Sequence, residues 1–426
     1  MVIHTVKSGE SLSSIARQYG ITLKLLLEIN GLTESETLVV GQSLLILFPM
    51  TTHIVRRGES LYTIAVNYGM TVKQLLRNNP QFIGYPALEE GETVIISFDT
   101  QKSGVVETNG YAYPYVSREV LNTSLPYMTY LSPFTYGITR EGELVPLNDE
   151  GLLAAARDFS IMPLMHLSTL TREGTFSNEL ASEILNSPEL QEKLIFAIRN
   201  TIIQKEYAGL DIDFEFVFPE DSALYAEFVG KLRDELSLLN KMVFTALAPK
   251  TSDNQKGTLY EGHNYELLGN ASDAVLLMTY EWGYTYGPPM AVAPIGPVEN
   301  VLKYALSYIP PEKIFLGIPN YGYDWTLPFV KGESRARSIS NPEAVEIARR
   351  YGSEIQFDTV SMAPHFNYTA EDGKSHEVWF EDVRSMEAKY NLIKNYKLKG
   401  AGYWNLMRPF QQNWSLLNAM FNIYGF

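Results

Sequence analysis

Acidic and apolar side chains alternate in the stretch Gly209-Leu210-Asp211-Ile212-Asp213-Phe214-Glu215-Phe216. Successive side chains of a β-strand point to opposite faces, so the three carboxylates share one face of the predicted strand. The other face carries only leucine, isoleucine and phenylalanine. A solvated acidic strand would not be backed by four large apolar side chains. The carboxylates are therefore predicted to point into the interior of a barrel.

Three carboxylates in a low-dielectric interior cannot all ionise at low cost. At least one pKa is expected to rise, with a proton shared along the row. A carboxyl that stays protonated near neutral pH can act as a general acid. A divalent metal site is the alternative, because acids two residues apart can chelate, but no histidine or further acidic run completes a coordination shell. We therefore expect no metal and no cofactor.

The chain from about Thr100 onward alternates short β-branched or aromatic runs with helix-like stretches, the pattern of βα units around a parallel sheet. Eight such units fit a (β/α)8 TIM barrel, and a doubly wound sheet is the alternative. The segment Asp324–Trp379 exceeds a βα loop and is predicted to hold a helix, Asn341–Tyr351, and a β-hairpin. The predicted barrel strands are residues 109–113, 130–136, 160–167, 209–216, 243–248, 274–280, 314–319 and 400–404.

The first hundred residues contain an internal duplication. The segment His4–Leu12 returns as His53–Leu61, and later matches keep the same spacing. Each copy predicts strand, helix, helix, strand, with a glycine ending the first helix and a threonine capping the second. These four positions are Gly20, Gly69, Thr22 and Thr71.

Both copies resemble the LysM domain, a module that binds glycans containing N-acetylglucosamine. The resemblance implies two small βααβ domains, residues 1–48 and 51–98, followed by a barrel domain of residues 102–426. In that family the sugar lies between the loop after the first strand and the loop after the second helix. A structural repeat with another ligand is the alternative. The implied contact residues are Gly9, Ser11, Asn30, Gly58, Ser60 and Asn79.

The acidic stretch resembles the DGxDxDxE signature of glycoside hydrolase family 18, the chitinase family. This resemblance implies that Glu215 is the catalytic acid and base. It also implies that Asp213 orients the substrate's acetamido group and that Asp211 is the inner partner of Asp213. Ala208 stands where the signature has its first aspartate, which removes a supporting position outside these three.

Further segments resemble motifs of the same family. Met278-Thr279-Tyr280-Glu281 resembles the MxYD motif, in which the tyrosine hydroxyl contacts the acetamido group. Gly317–Gly322 resembles the motif of the seventh strand, with Tyr323 where arginine is common. Trp404 matches the tryptophan beneath the sugar whose bond is cleaved. Tyr111 is a further candidate because aromatic faces stack on pyranose rings, although packing is the alternative. The candidate substrate-binding residues are Trp404, Met278, Glu281, Asn320, Tyr321 and Tyr111.

The motif supplies an acid without a second carboxylate placed as a nucleophile. The family resemblance implies substrate-assisted, retaining catalysis, in which the substrate's own 2-acetamido oxygen attacks the anomeric carbon. The sugar at that position must then carry a free N-acetyl group. N-acetylglucosamine satisfies this condition, whereas a muramic δ-lactam does not.

The complete arrangement resembles spore cortex-lytic N-acetylglucosaminidases. That resemblance implies hydrolysis of cortex peptidoglycan during germination, in the coat and cortex region of the spore or in a cell wall. A chitinase is one alternative, because LysM modules also bind chitin. A non-catalytic coat protein that binds chitin or peptidoglycan is another, although such relatives typically lack an acid at the position of Glu215.

The net charge excludes two classes of partner. The chain has 34 lysines and arginines against 49 aspartates and glutamates, a formal net charge of −15. An acidic protein repels phosphate backbones and anionic lipids, so we expect neither nucleic acid nor membrane as a partner. The amino-terminal sequence does not read as a signal peptide. We expect a monomer that binds a peptidoglycan or N-acetylglucosamine polymer.

Overall fold

The computed structural model describes residues 1–84, 87–171 and 173–425. Each repeat has the predicted order of elements, and its two strands pair antiparallel. The first repeat consists of β1 (Val2–Thr5), α1 (Leu12–Tyr19), α2 (Leu23–Asn30) and β2 (Ser43–Ile46). The second consists of β3 (Pro49–Ile54), α3 (Leu61–Asn67), α4 (Val72–Asn78) and β4 (Thr93–Phe98).

The helix ends in the repeats follow the predicted signals. Gly20 ends α1 in the left-handed region, with φ +67°, and its N–H donates to two carbonyls of the helix. Thr71 caps α4 in a capping box with Gln74. The apolar face of each first helix packs into a separate small core, built in the first repeat around Ile15, Leu26 and Leu44.

Before its largest insertion, the described part of the barrel domain forms sixteen α-helices and β-strands. They are β5 (Val105–Ala112), α5 (Arg118–Ser124), β6 (Tyr130–Pro133), β7 (Gly137–Ile138), β8 (Leu144–Val145), α6 (Glu150–Asp158), β9 (Met162–Ser168), α7 (Asn178–Leu185), α8 (Pro188–Gln204), β10 (Gly209–Asp213), α9 (Ser222–Ser237), β11 (Met242–Leu247), α10 (Tyr265–Ala271), β12 (Ala274–Leu277), α11 (Ile295–Ala305) and β13 (Ile314–Pro319).

The insertion and the elements that follow it complete the domain. The insertion holds β14 (Gly322–Thr326), β15 (Arg337–Ile339), α12 (Asn341–Tyr351), β16 (Gln356–Asp358), β17 (Ala363–Thr369) and β18 (Ser375–Trp379). The chain then forms α13 (Val383–Tyr396), β19 (Gly400–Trp404), α14 (Gln411–Met420) and β20 (Asn422–Ile423).

Eight parallel strands close into a barrel. Their order is β5, β6, β9, β10, β11, β12, β13 and β19, and β19 pairs with β5 to complete the ring. All eight predicted strands are present, which confirms the (β/α)8 barrel and excludes the doubly wound alternative. The acidic strand is shorter than predicted: its last ladder residue is Asp213, opposite Ser168, so Glu215 lies just beyond the strand.

Aromatic side chains fill the amino-terminal half of the barrel interior. Tyr130 packs against Phe244 with ring centroids 5.1 Å apart, and Phe244 packs against Phe315 at 5.2 Å. All three side chains are buried. Since this half is occupied by side chains, only the end formed by the carboxyl termini of the strands is open to a ligand.

The insertion is larger than the sequence predicts. The helix Asn341–Tyr351 is confirmed with the predicted bounds, and β17 and β18 form the predicted hairpin. They belong, however, to a five-stranded sheet in the order β15, β14, β18, β17, β16. The additional strands have three to five residues, too few for a clear alternation of polar and apolar side chains.

Both repeats dock on helix α14 of the barrel domain. Ser415 donates a 2.9 Å hydrogen bond to the carbonyl of Ile29 in α2. Asn418 donates a 2.8 Å hydrogen bond to the side chain of Asn78 in α4. Ile29 and Asn78 occupy equivalent positions in the duplication. The two copies therefore present the same helix position to one barrel helix.

The first repeat also docks against the insertion, and Gly41 lies at this contact. A substitution of Gly41 therefore tests the docking of the first repeat. The φ of Gly41 is +84°, and a Cβ there would come within 1.8 Å of the carbonyl oxygen of Ile355. Gly41→Ala is expected to lower the melting temperature by several degrees, since overpacking costs about 1 to 3 kcal/mol beyond the strain of the left-handed backbone. Differential scanning calorimetry measures the change.

Gly91→Ala is the matched control. Gly91 occupies the corresponding turn of the second repeat with φ +91°, and nothing lies within 4 Å of its added Cβ. Both variants carry the backbone strain, but only Gly41→Ala carries the overlap. Equal losses of stability in the two variants would contradict tight docking of the first repeat.

Candidate active site

The predicted acidic residues gather at the carboxyl end of the barrel. Asp211 and Asp213 lie on β10, and Glu215 follows two residues after the strand ends. Tyr280 lies three residues beyond the end of β12, and Trp404 is the final residue of β19. The fourth, sixth and eighth strands of the barrel thus contribute to one site. Because the ring is closed, their carboxyl ends lie at the same end of the barrel.

Asp211 is fully buried and held by neighbouring strands. Its Oδ2 accepts a 2.8 Å hydrogen bond from Ser132 and a 3.3 Å hydrogen bond from Asn109. Burial raises the pKa of Asp211 to about 6, against the opposing effect of these hydrogen bonds. This carboxyl is therefore half-protonated near pH 6.

Asp213 lies between the other two acids and beside a histidine. Burial raises its pKa well above the ordinary value, and the charges of Glu215 and Asp211 raise it further. The Nε2 of His166 lies 3.8 Å from its Oδ2. His166 is itself buried, and burial lowers its pKa to about 3, so the imidazole is neutral. The raised pKa that the sequence predicts for this row follows from these surroundings, and the shared proton stays a prediction.

Glu215 lines a cavity of about 420 Å³. The cavity extends from Glu215 beneath the loop after β11 and also touches Tyr280 and Glu281. The surrounding protein raises the pKa of Glu215, and the charge of Glu281 raises it further. Glu215 thus combines a raised pKa with access to a cavity, the two properties that a general acid requires.

Glu281 is held at the mouth of this cavity by two tyrosines. Tyr321 and Tyr323 each donate a hydrogen bond to its Oε1, the latter at 3.0 Å. Its backbone has φ +68°, a left-handed conformation that residues other than glycine seldom adopt. The surrounding protein raises the pKa of the carboxyl although part of the residue is exposed. The backbone conformation and the two hydroxyls together hold this carboxylate in the cavity that Glu215 also lines.

Tyr280 faces the row of acids. Burial raises its pKa well above the ordinary value, and Asp213 and Glu215 are the next two causes. The phenol therefore stays protonated and can donate a hydrogen bond. Met278, two residues earlier, lines the same cavity as Glu215.

Trp404 lies within an aromatic cluster beside the acids. Its ring centroid is 4.8 Å from that of Phe134 and 5.7 Å from that of Tyr111. Tyr111 is buried and packs edge-on against His166 at 5.5 Å. The predicted residues Trp404 and Tyr111 thus belong to one cluster, and burial and then the charge of Asp211 raise the pKa of Tyr111.

Asn320 is placed differently from its prediction as a substrate-binding residue. Its amide nitrogen donates 2.9 Å hydrogen bonds to the carbonyls of Asn405 and Arg408. The side chain is buried and fixes the loop that follows Trp404. Asn320 therefore supports this loop through its amide nitrogen, and its contact with substrate stays a prediction.

The two predicted asparagines of the repeats are also internal. Asn30 donates to the carbonyls of Leu26 and Leu45 and accepts from the N–H of Leu45. Asn79 makes the equivalent three hydrogen bonds in the second repeat and is fully buried. These amides tie the second helix of each module to its second strand. Their contact with sugar stays a prediction.

The other four predicted residues, Gly9, Ser11, Gly58 and Ser60, lie on loops. In each repeat the loop is held by the same contacts among a histidine, a glutamate and a tyrosine. Gly9 and Ser11 flank Glu10, whose carboxylate lies 2.9 Å from the Nε2 of His4. The Nδ1 of His4 lies 3.0 Å from the hydroxyl of Tyr19. Around Gly58 and Ser60 the same contacts join His53, Glu59 and Tyr68. The duplication thus preserves the shape of this loop in both copies.

Several residues of the site were missed in the sequence. Asn109 and Ser132 hold Asp211, and Phe134 packs against Trp404. Asn109 lies two residues before Tyr111, and Ser132 lies two residues before Phe134. Alternation along the strands would have found them, because residues two apart share a face.

Two further features are absent from the part of the chain that the structure describes. No group of three or more histidine, cysteine, aspartate or glutamate side chains there could hold a metal ion. Among the same residues, no helix is long and apolar enough to cross a membrane.

The barrel and its buried acids define a glycosidase of the (β/α)8 class. Residues 173–408 match the model of the family described as glycosyl hydrolases family 18, and residues 4–47 and 53–97 each match the LysM domain. The chain belongs to glycosyl hydrolases family 18 and carries two LysM domains.

Similar proteins match the whole chain. The cortical fragment-lytic enzymes of Bacillus anthracis and Bacillus subtilis (strain 168) are each 40% identical to it. The matches cover 99% of this chain in both cases, and 98% and 99% of the respective relatives. The crystal structure of the Bacillus cereus spore cortex-lytic enzyme SleL superposes with a TM-score of 0.84 at 38% identity, covering 100% of this chain and 98% of that one.

Asp211 gives a test of the buried row of acids. Folding raises its pKa from 3.8 to about 6, so the folded chain retains a proton that the unfolded chain releases between these values. The free energy of unfolding therefore falls as the pH rises through this range. Asp211→Asn removes that loss and is expected to stabilise the protein by about 1 to 3 kcal/mol at pH 8, with little effect at pH 4.

Urea unfolding at the two pH values measures this effect. Asp234→Asn, the same substitution on the exposed surface of α9, is expected to leave stability unchanged at both. A gain for Asp211→Asn that is as large at pH 4 as at pH 8 would show that protonation of Asp211 is not its cause.

Proposed function

We propose that this protein hydrolyses spore cortex peptidoglycan during germination and cleaves the β-1,4 bond that follows N-acetylglucosamine. One observation carries the proposal: an acid with a raised pKa, Glu215, opens on a cavity in a chain that matches cortical fragment-lytic enzymes over 99% of its length. The match in length includes both LysM domains, which supports a glycan polymer as the partner. The action is spore-associated.

The first chemical step uses the substrate as its own nucleophile. Glu215 donates its proton to the glycosidic oxygen while the 2-acetamido oxygen attacks the anomeric carbon, which forms an oxazolinium ring and releases the leaving sugar. Asp213 accepts a hydrogen bond from the acetamido N–H. Asp211 and Asp213 share one proton. Tyr280 donates to the acetamido oxygen. Its raised pKa supports this role, because the phenol must keep its proton.

The second step returns the enzyme to its starting state. Glu215, now ionised, takes a proton from a water molecule that attacks the anomeric carbon from the side that the leaving group vacated. The ring opens, and the configuration is retained. The oxazolinium requires a free N-acetyl group, a condition that N-acetylglucosamine satisfies, and in the proposal this sugar becomes the new reducing end. A muramic δ-lactam, with its nitrogen in a ring, cannot react in this way.

The remaining residues of the site have supporting roles in the proposal. Trp404 lies beneath the sugar, and Tyr111 borders the same space. Met278, Glu281 and Tyr321 border the space around the acetamido group and the leaving sugar. The loops that carry Gly9, Ser11, Gly58 and Ser60 bind the glycan.

The proposal also includes the roles of the three domains, the oligomeric state and the location of the protein. Residues 1–48 and 51–98 are glycan-binding modules, and residues 102–426 are the catalytic domain. The protein acts as a monomer in the coat and cortex region of the spore.

Glu215→Gln tests the assignment of the acid. The amide cannot donate a proton to the leaving oxygen, so kcat on cortex fragments is expected to fall by about 100-fold or more. Sedimentation with intact peptidoglycan is expected to be unchanged, because the repeats bind independently of the acid. Mass spectrometry of the products identifies the bond that the wild-type protein cleaves.

Glu220→Gln is the control for this substitution, since Glu220 is an exposed residue of the following loop. A Glu215→Gln protein of near wild-type activity would refute the mechanism. Wild-type activity on chitin oligomers without activity on cortex would replace the proposed substrate with chitin.

Glu281 gives a test of the electrostatics of the acid. Its negative charge raises the pKa of Glu215, so Glu281→Gln is expected to lower that pKa. The catalytic proton is then lost at lower pH, and the alkaline limb of the kcat profile moves down in pH. Glu261→Gln is the control, because Lys256 compensates the charge of that carboxylate and the substitution is expected to leave the pKa of Glu215 unchanged. An unchanged alkaline limb in Glu281→Gln would contradict the coupling.

A further inference from the structure

The backbone that carries Glu215 lies beyond the last pair of the barrel sheet. Strand β10 pairs with β11 as far as Ile212 and with β9 as far as Asp213. The segment that follows, Phe214 and Glu215, therefore needs other partners for its backbone. A general acid has to lie within hydrogen-bond reach of the leaving oxygen, so the position of this segment matters for the proposed reaction.

His263 supplies such partners from the loop after β11. Its Nε2 lies 3.2 Å from the carbonyl oxygens of both Phe214 and Glu215. Its Nδ1 lies 3.1 Å from the backbone nitrogen of Ala248. A carbonyl only accepts and a backbone N–H only donates, so Nε2 carries the proton and Nδ1 accepts. The ring is fully buried, and burial lowers the pKa of His263 to about 4, which keeps it neutral in this tautomer.

The loop that carries His263 is itself firmly held. The Nζ of the buried Lys250 donates a 2.9 Å hydrogen bond to the carbonyl of His263. The next residue, Asn264, caps the amino terminus of α10 with its side chain. A Cβ on Gly262 would come within 2.3 Å of the carbonyl oxygen of Val217. The loop after β11 thus packs tightly on the chain just beyond the acid.

We infer that His263 is a positioning residue for the catalytic acid. Its imidazole fixes the backbone of Glu215 beyond the end of the strand and so holds the carboxyl where it can protonate the leaving oxygen. The inference rests on the proposed function and deepens it, because it names the group that keeps Glu215 in place. A displacement of about 1 Å at a reacting group can cost about 100-fold in rate. A buried histidine with a purely structural role is the alternative.

The leaving group of the substrate separates these two roles in the full-length protein. A sugar needs the proton of Glu215 to depart, whereas p-nitrophenolate departs without one. Loss of the positioning contact therefore lowers kcat/KM for cortex fragments and has little effect on the p-nitrophenyl glycoside of the N-acetylglucosamine disaccharide. A general loss of folded protein lowers kcat/KM for both substrates by the same factor.

His263→Asn and His263→Gln form a matched pair. The shorter amide reaches Ala248 but not the two carbonyls, whereas the longer amide places an N–H near the position of Nε2. The kcat/KM for cortex fragments is expected to fall by about 30-fold or more in His263→Asn, with a change of less than about 3-fold on the aryl glycoside. His263→Gln is expected to keep most of both activities.

Gly262→Ala perturbs the same loop without touching the histidine. The added Cβ overlaps the carbonyl of Val217, so the loop has to move away from the segment that carries Glu215. The same selective loss on cortex fragments is expected. This variant carries the test if His263→Asn does not fold.

His376→Asn is the control for a lost histidine contact, since the Nδ1 of His376 lies 2.8 Å from Asp324 in the insertion. It is expected to leave the ratio of the two kcat/KM values unchanged. Equal losses on both substrates in His263→Asn would overturn the inference. No hydrolysis of either substrate by the wild type would instead refute the proposed function.

A double substitution tests the same inference on cortex fragments alone and needs no aryl glycoside. Because His263 acts through Glu215, its loss has no further effect once Glu215→Gln has removed the acid. Adding His263→Asn to Glu215→Gln is expected to change the residual kcat/KM by less than about 2-fold. A further loss as large as in the wild-type background would show that the histidine acts independently of the acid and would overturn the inference.

Discussion

The burial of three carboxylates on one strand is the constraint on which the site depends. A single buried charge is costly, and three adjacent ones are tolerated only with hydrogen-bond donors and shared protons. Ser132 and Asn109 supply donors to Asp211, and the raised pKa values of Asp213 and Glu215 keep protons in the row. Aromatic rings fill the barrel below the acids, so their only access to substrate is from above.

A departure from the family pattern changes the charge balance above this row. Tyr323 stands where the family commonly has arginine, and its hydroxyl donates to Glu281. A hydroxyl satisfies a lone pair of the carboxylate but leaves its charge uncompensated, which a guanidinium would not. The charge of Glu281 therefore acts on Glu215 and raises its pKa. The exchange of arginine for Tyr323 is thereby linked to the raised pKa of Glu215.

The sequence predicted the barrel strands and the acids because alternation of side chains reports directly on strand faces. It placed Glu215 on the strand, although the ladder ends at Asp213, since alternation continues past the last hydrogen bond. The hydrogen bonds of Asn30, Asn79 and Asn320 to backbone were not predicted, because the sequence does not reveal which polar side chains satisfy buried backbone. The short strands of the insertion lacked enough residues for any periodicity to appear.

The docking of both repeats on α14 has a consequence for synthesis on the ribosome. Each repeat has its own apolar core and leaves the ribosome before the barrel domain. The helix that receives both repeats follows them by about 300 residues, which takes on the order of tens of seconds to translate. During that interval the docking faces around Ile29 and Asn78 stay uncovered, and they close only when the ring of strands is complete.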